Sequence, residues 1–584
     1  MRLTKVIPVL LMSFSSLVSQ SQGTGFLRAN GNKIVDGNGK NILLRGIGLG
    51  GWMLQEGYML HLNKEGQQYK IRQRIESLVG KDKADEFYKA WLSNHTTKSD
   101  IDSLKAWKFN SVRLPMHYYL FTMPADQEKD TLNNTWLTGG FALTDSLIAW
   151  CKLNDMYVIL DLHAAPGGQG NDLNISDRDP SKPSLWQNVA NRKKTVALWR
   201  RIAERYASET TVAGYDLLNE PNWGFEDSVN DRNGLHEQKN IELKQLLVEI
   251  TKAIREVDKN HIVIIEGNGW GNNYRGLLPP WDDNMVLSFH KYWNYNDQKS
   301  IQYILDYREQ YNVPVWLGET GENSNTWFTE AIRLFETNNI GWSWWPLKKL
   351  GNNNPLQIRS NGIYDSLVDY WNGKTSQPPA DVYNGLMALA MHTKCETNIV
   401  QRDVIDAMIR QPFSSETLPF KANRISSGSV IPAVDYDLGK NGVAYYDKDT
   451  VNYRISSGKE SMGNRGRKYR NDGVDIYEDS IQKGTFYVGH IEDGEWLQYT
   501  IDVLDGGKYN LIFSFASVTG GGNISVQLDN LAQSNKILMR ATGGNEKWKT
   551  ATLANIGLTK GIHHLKVYAE KQGFNLRSVL FTKE

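Results

Sequence analysis

The stretch from Tyr157 to Leu218 contains the pattern that decides the fold. An apolar run, YVILD at 157–161, is followed by an amphipathic helical segment at 193–206 and by a second apolar run, VAGYDLL at 212–218. Nearly continuous apolar runs that alternate with helical segments are typical of parallel strands buried on both faces. The stretch therefore predicts one βαβ unit of a larger parallel sheet.

The same alternation extends in both directions and gives eight apolar runs between residues 25 and 350. The runs are 42–46, 111–115, 157–161, 212–218, 261–265, 285–289, 314–318 and 341–345, with helical segments such as 85–107, 145–153, 193–206, 242–257 and 326–337 between most of them. Eight strands close a (β/α)8 barrel. An open doubly wound sheet is the alternative, but no glycine-rich phosphate-binding turn follows the first run. We predict an α/β class (β/α)8 TIM barrel over residues 24–412, with a further helical segment at 381–391.

After residue 412 the apolar pattern changes its period to two. Leu497, Tyr499, Ile501 and Val503 alternate with polar residues, and glycine-rich turns follow at 505–507 and 519–522. This pattern predicts an all-β antiparallel sandwich (jelly-roll) over 431–584. The Ser- and Gly-containing stretch before it predicts a linker at 413–430.

Composition excludes several classes of protein. The 584 residues include 66 basic and 65 acidic residues, so no electrostatic footprint for nucleic acid is present. Arg2 and Lys5 precede an apolar run at 6–17, which predicts a signal peptide at 1–22 and a secreted or periplasmic protein. No cysteine follows to carry a lipid, and no later apolar run is long enough for membrane insertion.

Only two cysteines, Cys151 and Cys395, are present. We expect two free thiols, with a single disulfide as the alternative. Asn94 and Asn174 begin glycosylation motifs that matter only in a eukaryotic secretory pathway.

Catalytic groups of a (β/α)8 barrel lie at the carboxyl ends of its strands. Glu220 follows the fourth run and Glu319 the seventh, so the two carboxylates would face each other across the barrel mouth. Glycoside hydrolysis needs such a pair: one acid protonates the leaving oxygen, and one carboxylate attacks the anomeric carbon or activates water. Glu266 and Glu322 are rival carboxylates, but Glu266 has no Asn before it and Glu322 lies three residues beyond its strand end.

Other polar residues surround this pair at the strand ends. Arg113 beneath a nucleophilic carboxylate would keep that carboxylate ionised. His163 and His290 could be structural or could bind a metal, but no third ligand stands at metal-binding spacing beside either. We therefore expect no metal and no cofactor.

Four stretches make residues 25–350 similar to glycoside hydrolase family 5, a retaining family on the eightfold barrel. They are SVRLP at 111–115, NEP at 219–221, SFHKY at 288–292 and GET at 318–320. The resemblance implies that Glu220 is the acid/base, that Glu319 is the nucleophile, and that the substrate is bound by Arg113, His163, Asn219, His290, Tyr292 and Trp345. Two further stretches, DLHAAPGGQ at 161–169 and GWSWW at 341–345, resemble the exo-β-1,3-glucanase side of that family.

Tryptophan is abundant, with 19 in the chain, and flat aromatic rings are the surfaces on which sugars stack. Six tryptophans lie at or just after strand ends, where they are predicted to line the cleft: Trp52, Trp223, Trp270, Trp293, Trp327 and Trp345. Trp223 and Trp293 are added to the predicted substrate-binding residues. Trp107 and Trp199 lie in helical segments and are expected in the core.

Residues 431–584 are similar to a family 6 carbohydrate-binding module. The stretches that carry the similarity are AVDYD at 433–437, GVDI at 473–476, VGHI at 488–491, GEWLQY at 494–499 and FNL at 574–576. His490 and Asn545 stand where the family has aromatic residues, which leaves Asn575 without its aromatic sandwich. A structural calcium ion in this module is the one metal left open, although Val434 stands where the family has an acidic residue. We expect weak binding through Asn575 or near Trp496, or a structural module packed against the barrel. Trp496 and Trp548 are expected in the module core.

These observations predict a secreted retaining β-glucanase that acts on a polysaccharide or oligosaccharide, with β-1,3-glucan as the leading substrate. A β-1,4-endoglucanase, a mannanase, a transglycosylase and a glycolipid hydrolase remain open. The alternative from another class is a non-catalytic glycan-binding protein. The sequence leaves the oligomeric state open.

Overall fold

The structure is a computed structural model and describes residues 24–129, 134–451, 465–532 and 536–584. The predicted signal peptide at 1–22 lies outside the described residues. A short antiparallel hairpin, β1 (Arg28–Asn30) and β2 (Lys33–Val35), precedes the first large unit.

Eight parallel strands then close a barrel, which confirms the predicted (β/α)8 fold. Each predicted apolar run overlaps one of them. The strands are β3 (Arg45–Gly48), β4 (Ser111–His117), β5 (Tyr157–Ala164), β6 (Val212–Asp216), β7 (Ile262–Glu266), β8 (Met285–Tyr292), β9 (Val315–Gly321) and β10 (Gly341–Trp345). Neighbours in sequence are neighbours in the barrel, and β10 pairs with both β9 and β3.

Helices surround the barrel. They are α1 (Gln68–Val79), α2 (Lys81–His95), α3 (Lys98–Ala106), α4 (Thr138–Leu153), α5 (Val189–Tyr206), α6 (Ile241–Val257), α7 (Asn268–Gly271), α8 (Gln298–Tyr311), α9 (Asn325–Thr337), α10 (Gly362–Trp371), α11 (Val382–His392) and α12 (Arg402–Ile409). Of these, α1, α2, α10 and α11 also share an apolar cluster of their own. The single helical segment predicted at 85–107 is two helices, because Thr97 and Asp100 form a capping box that starts α3. Three short strands, β11 (Lys348–Lys349), β12 (Leu356–Gln357) and β13 (Ile399–Val400), form a small sheet beside them.

The second unit consists of two packed, mainly antiparallel sheets, as the period-two pattern predicts. One sheet contains β14 (Asn423–Ile425), β16 (Tyr445–Tyr446), β19 (Trp496–Val503), β21 (Gly522–Leu528), β22 (Leu531–Ala532), β23 (Ile537–Met539) and β25 (Gly561–Lys571). The other contains β15 (Val430–Pro432), β17 (Ile476–Glu478), β18 (Phe486–Val488), β20 (Gly507–Ala516), β24 (Lys549–Leu558) and β26 (Asn575–Lys583). The structure differs from the prediction at the linker, because β14 pairs with β19 and so belongs to the sandwich although it lies within 413–430.

Neither cysteine forms a disulfide: Cys151 is a buried free thiol and Cys395 a half-buried one. Over the part of the chain that the structure describes, no helix combines the length and the apolar character needed to cross a bilayer.

Candidate active site at the carboxyl ends of the barrel strands

Arg113, near the middle of β4, is the centre of the site. Its guanidinium is completely buried and donates to Oε1 of Glu319 at 2.8 Å, to Asp216 at 2.9 Å, to Oδ1 of Asn219 at 2.9 Å and to Glu266 at 3.0 Å. A buried cation needs such partners, since desolvation opposes its charge. Burial by itself lowers the pKa of Arg113. The charges of the surrounding carboxylates outweigh this effect and raise the pKa well above its usual value. Arg113 therefore fixes the floor of the barrel mouth.

Glu319, on β9, is held at both oxygens. Arg113 donates to Oε1, and the Tyr292 hydroxyl donates to Oε2 at 3.0 Å. Both partners interact best with the ionised carboxylate. Glu319 is 5% exposed, which leaves little solvent around it.

Glu220 follows β6 and has a different environment. Its Oε1 lies 2.7 Å from Nδ1 of His290, and its backbone N–H donates to Oε2 of Glu266 at 2.7 Å. Burial raises the pKa of Glu220 to about 7, with the charges of Glu319 and Glu266 acting in the same direction and His290 against it. The backbone φ of Glu220 is 43°, a left-handed conformation that is uncommon for a residue other than glycine and that concentrates at functional sites. Glu220 is therefore a carboxyl group whose pKa lies close to neutral pH.

His290 links these two groups. Its Nδ1 lies 2.7 Å from Glu220 and 3.6 Å from Oε2 of Glu319, and its Nε2 lies 3.2 Å from Glu266. Burial disfavours its charge, but Glu266 and Glu319 raise its pKa well above the usual value. Glu266, a rival in the sequence, is completely buried under the site and positions Arg113, His290 and the backbone of Glu220.

His163, at the end of β5, differs from His290 in the direction of its pKa shift. Burial lowers its pKa to about 3, so the ring is neutral. Its Nδ1 pairs with Asp161 at 2.7 Å, its Nε2 faces the Asn219 amide at 3.3 Å, and its ring stacks on Trp345 with 5.0 Å between centroids. The stack with His163 fixes the plane of the Trp345 indole.

Two glycines make room for that indole. A Cβ on Gly48 would come within 2.5 Å of the Trp345 ring, and one on Gly50 within 2.7 Å. The indole N–H donates to the Tyr58 hydroxyl at 3.0 Å, and the Trp345 side chain is buried except for 4% of the residue surface. Trp345 therefore lies flat on the backbone that follows β3.

Four further residues belong to the site but have little signal in the sequence. Asp161 and Asp216 hold the far side of Arg113, and their only sequence signal is an acid inside an apolar strand, which must be paired when buried. Glu56 and Tyr58 come from the loop after β3. Burial raises the pKa of Glu56 well above its usual value, and the charges of Glu319, Glu322 and Glu220 raise it further, so Glu56 lies near these three carboxylates.

The tryptophans predicted to line the cleft divide into two groups. Trp52 and Trp327 are 1% and 0% exposed and pack in the barrel core, so their predicted place in the cleft is wrong. Trp223 and Trp293 are half-buried: Arg178 lies over the Trp223 ring at 4.8 Å, and Trp293 contacts the Tyr292 ring at 5.6 Å. Trp270 is also half-buried, and Trp199 lies in the core as expected while Trp107 packs against it.

Among the described residues one group could offer three ligand atoms to a metal ion. The ligand atoms of Glu220, His290 and Glu319 all lie within 4.8 Å of one another. The hydrogen bonds described above already engage all three side chains. The expectation that no metal takes part stays a prediction.

In the sandwich, the Asn575 side-chain amide donates to the Asn545 carbonyl at 2.8 Å. Asn575 and the Tyr477 ring both lie close to Gly489, and the next residue, His490, is exposed. Trp496 and Trp548 are both half-buried and stand outside the buried core cluster, contrary to their predicted place in the core. Lys566 lies 4.5 Å from the centre of the Trp496 ring, and Asp479 accepts from the Trp548 indole at 2.7 Å.

A parallel eightfold barrel with two buried carboxyl groups side by side at its carboxyl end defines a class: barrel glycosidases with a carboxylate pair. The family model "Cellulase (glycosyl hydrolase family 5)" matches residues 65–351, and the model "Carbohydrate binding module (family 6)" matches residues 467–583. The barrel is a glycosyl hydrolase family 5 domain and the sandwich a family 6 carbohydrate binding module, so the chain is a glycoside hydrolase.

The relatives have different names. The chain is 25% identical over 378 residues to a β-xylosidase of Phanerodontia chrysosporium, which covers 59% of this chain and 75% of that protein. It is 26% identical to endoglucanase C of Acetivibrio thermocellus, covering 42% and 57%, and 28% identical to a probable glucan 1,3-β-glucosidase A of Aspergillus niger, covering 36% and 49%. The chain thus spans three quarters of the first relative and about half of the other two. A solved structure, the β-glucanase SdGluc5_26A of Saccharophagus degradans, is 20% identical with a TM-score of 0.36 and covers 55% of this chain and 84% of that one.

Proposed function

We propose that the chain is a secreted, retaining β-glucanase in which Glu319 is the nucleophile and Glu220 the acid/base. One observation carries the proposal: carboxylate oxygens of Glu319 and Glu220 lie within 4.8 Å of each other. Retaining enzymes place their carboxyl groups about 5–5.5 Å apart, whereas inverting enzymes leave about 6.5–9.5 Å for a water molecule. The short separation favours double displacement.

In the first step Glu220 transfers its proton to the glycosidic oxygen while Glu319 attacks the anomeric carbon. The glycosidic C–O bond breaks, the leaving sugar departs as an alcohol, and a glycosyl ester forms on Glu319. Arg113 and Tyr292 hold the attacking carboxylate by donating to its two oxygens. Asn219, which accepts a hydrogen bond from Arg113, binds the sugar 2-hydroxyl in this proposal.

In the second step Glu220, now ionised, removes a proton from water, and the hydroxide displaces Glu319 with a second inversion. His290 remains beside Glu220 throughout and stabilises the ionised form. Trp345 supplies the apolar floor for the sugar on the non-reducing side of the bond.

For the substrate we propose β-1,3-glucan. The stretches at 161–169 and 341–345 support it, as does the relative named as a glucan 1,3-β-glucosidase. Reducing sugar released from laminarin, carboxymethyl cellulose and mannan at equal concentrations tests the substrate. Proton NMR of the first product tests the mechanism: the β-anomer should appear first, and an initial α-anomer would contradict double displacement.

The endoglucanase relative favours one rival substrate, a β-1,4-glucan. Faster hydrolysis of carboxymethyl cellulose than of laminarin would replace the β-1,3 assignment with that one. Release of long oligosaccharides before glucose would indicate cleavage inside the chain rather than from its end.

The N-terminal stretch 1–22 supports export, and N-terminal sequencing of the secreted protein would test the cleavage site.

For the module we propose weak glycan binding through Asn575 and Trp496. Affinity electrophoresis of an inactive full-length variant in laminarin gels tests it, with Asn575→Ala expected to migrate faster. Unchanged migration would favour a structural module.

A further inference from the structure

Residues 320–325, called the 320–325 loop below, follow the proposed nucleophile and form one wall of the barrel mouth. They comprise the last two residues of β9, a short connection and the first residue of α9. Glu322 has a left-handed backbone with φ of 56°, which a non-glycine residue adopts only when its surroundings hold it there. Its carbonyl accepts from the Trp293 indole at 2.9 Å, and its carboxylate pairs with Lys349. The position of Trp293 beside Tyr292 therefore depends on where this loop lies.

The far side of the loop is held by the carbohydrate-binding module. The Asn471 side-chain amide donates to the Asn323 carbonyl at 2.8 Å and to Oδ1 of Asn325 at 3.0 Å. The Asn325 N–H in turn donates to the Asn471 carbonyl at 2.9 Å. These residues are 9% exposed or less, so loss of a partner would leave a buried polar group unsatisfied.

Asn471 is itself fixed inside the module. It stands between Arg470 and Asp472, which pair at 2.6 Å and are almost completely buried. The guanidinium of Arg470 also lies 3.7 Å from the centre of the Tyr436 ring, and the Tyr436 hydroxyl donates to Asp472 at 3.1 Å. The segment 470–472 is therefore a rigid support, and Asn325 donates to both Asp472 of the module and Asp403 of α12 at 2.8 Å.

We propose that Asn471 is a positioning residue for the glycosidase site: the module holds the 320–325 loop and, through the Glu322 carbonyl, orients Trp293 for substrate. The module is then part of the substrate-binding wall in addition to any glycan binding of its own. This inference rests on the proposed role of Glu319 and Trp293, but not on the identity of the glycan.

A double-mutant cycle with Asn471→Ala and Trp293→Ala in the full-length enzyme tests the coupling. Asn471→Ala is expected to raise KM about fivefold with kcat little changed, since a displaced indole weakens stacking while the nucleophile keeps Arg113 and Tyr292. In the Trp293→Ala background the same substitution should leave KM unchanged, because the residue through which it acts is gone. Equal effects in both backgrounds, or no change in KM, would overturn the proposal.

Tyr445→Phe is the matched control. It removes another contact between the two domains, the 3.2 Å pair of the Tyr445 hydroxyl with Thr326, without touching residues 320–325. It should leave KM unchanged even if it lowers the melting temperature. A KM increase in Tyr445→Phe equal to that in Asn471→Ala would mean that general loosening of the interface, and not Asn471, is responsible.

Hydrogen–deuterium exchange measures the position of the loop independently of activity. Amides of residues 322–325 should exchange about tenfold faster in Asn471→Ala than in the parent and in Tyr445→Phe. Unchanged exchange there would reject the inference even in an active enzyme. A parent that hydrolyses no glycan would reject the proposed function while leaving the exchange result to decide this inference.

Discussion

Nδ1 of His290 lies 2.7 Å from Oε1 of Glu220, and the same nitrogen lies 3.6 Å from Oε2 of Glu319. One imidazole therefore faces both carboxylates. Protonated His290 stabilises the ionised form of both neighbouring carboxylates, Glu220 and Glu319. This arrangement suits an acid that must release its proton in one step and recover it in the next.

The pH dependence of kcat/KM follows from the Glu220 pKa of about 7. Glu220 must be protonated to donate to the leaving oxygen, so activity should fall as the pH rises through about 7, about tenfold for each further unit. Glu220→Gln should lose this alkaline limb and should lose less activity on aryl glycosides, whose leaving groups need little protonation. An alkaline limb that persists in Glu220→Gln would assign it to another group.

Glu319→Ala should abolish turnover while glycan binding survives. Removal of a nucleophile costs a factor of about 1,000 or more, because no other group can form the covalent intermediate. Steady-state rates together with calorimetric binding of a laminari-oligosaccharide would check this, with Glu309→Gln at an exposed position of α8 as the control. Azide should restore partial activity to Glu319→Ala by forming a glycosyl azide of inverted configuration. Near-parental turnover in Glu319→Ala would refute the assignment.

Gly48→Ala should damage the sugar-binding floor. The new Cβ would stand 2.5 Å from the Trp345 ring, and neither the ring nor the strand can move freely. We expect a loss of about tenfold or more in kcat/KM and of about 1–3 kcal/mol in the free energy of unfolding. Gly139→Ala in α4, where a Cβ meets nothing within 4 Å, is the matched control and should be neutral or stabilising. Parental kinetics in Gly48→Ala would show that the indole can shift at no cost.

Asp403, at the interface between the domains, should make stability depend on pH. Burial and the charge of Asp472 raise its pKa to about 6 from a usual value near 3.8, against the opposing charge of Arg470. The pKa of Asp403 is higher in the folded state than in the unfolded state. Its contribution to stability is therefore complete below about pH 4 and is lost as the pH rises through 6. Two pKa units correspond to about 3 kcal/mol.

Asp403→Asn should therefore melt at a higher temperature than the parent at pH 8 and at nearly the same temperature at pH 4.5. Thermal melts of both proteins at the two pH values measure this. Asp283→Asn, at an exposed aspartate, is the control for loss of one charge. A parent–variant difference that is the same at both pH values would contradict the raised pKa.

The sequence was informative where the signal is local. A run of apolar residues marks a barrel strand, and polar residues within or just after the run mark the barrel mouth. For this reason Arg113, Glu220 and Glu319 could be chosen before the structure brought them together. It failed for side chains whose environment depends on loops. Trp52 and Trp327 also follow strands, yet the loop after β3 and the start of α9 fold them into the core. Glu56 escaped because nothing in its neighbourhood in sequence places it opposite Glu319.

The sequence by itself determined a barrel, a sandwich and a carboxylate pair, because the period of apolar residues and the identity of strand-end residues are properties of short segments. Only the tertiary structure decided the pKa of the acidic groups and the contacts between the two domains. The pKa of Glu220 depends on burial and on Glu319, Glu266 and His290, which come from three other strands. The contact of Asn471 with Asn325 joins residues 146 positions apart. Such relationships are set by packing in space, which no local pattern of residues encodes.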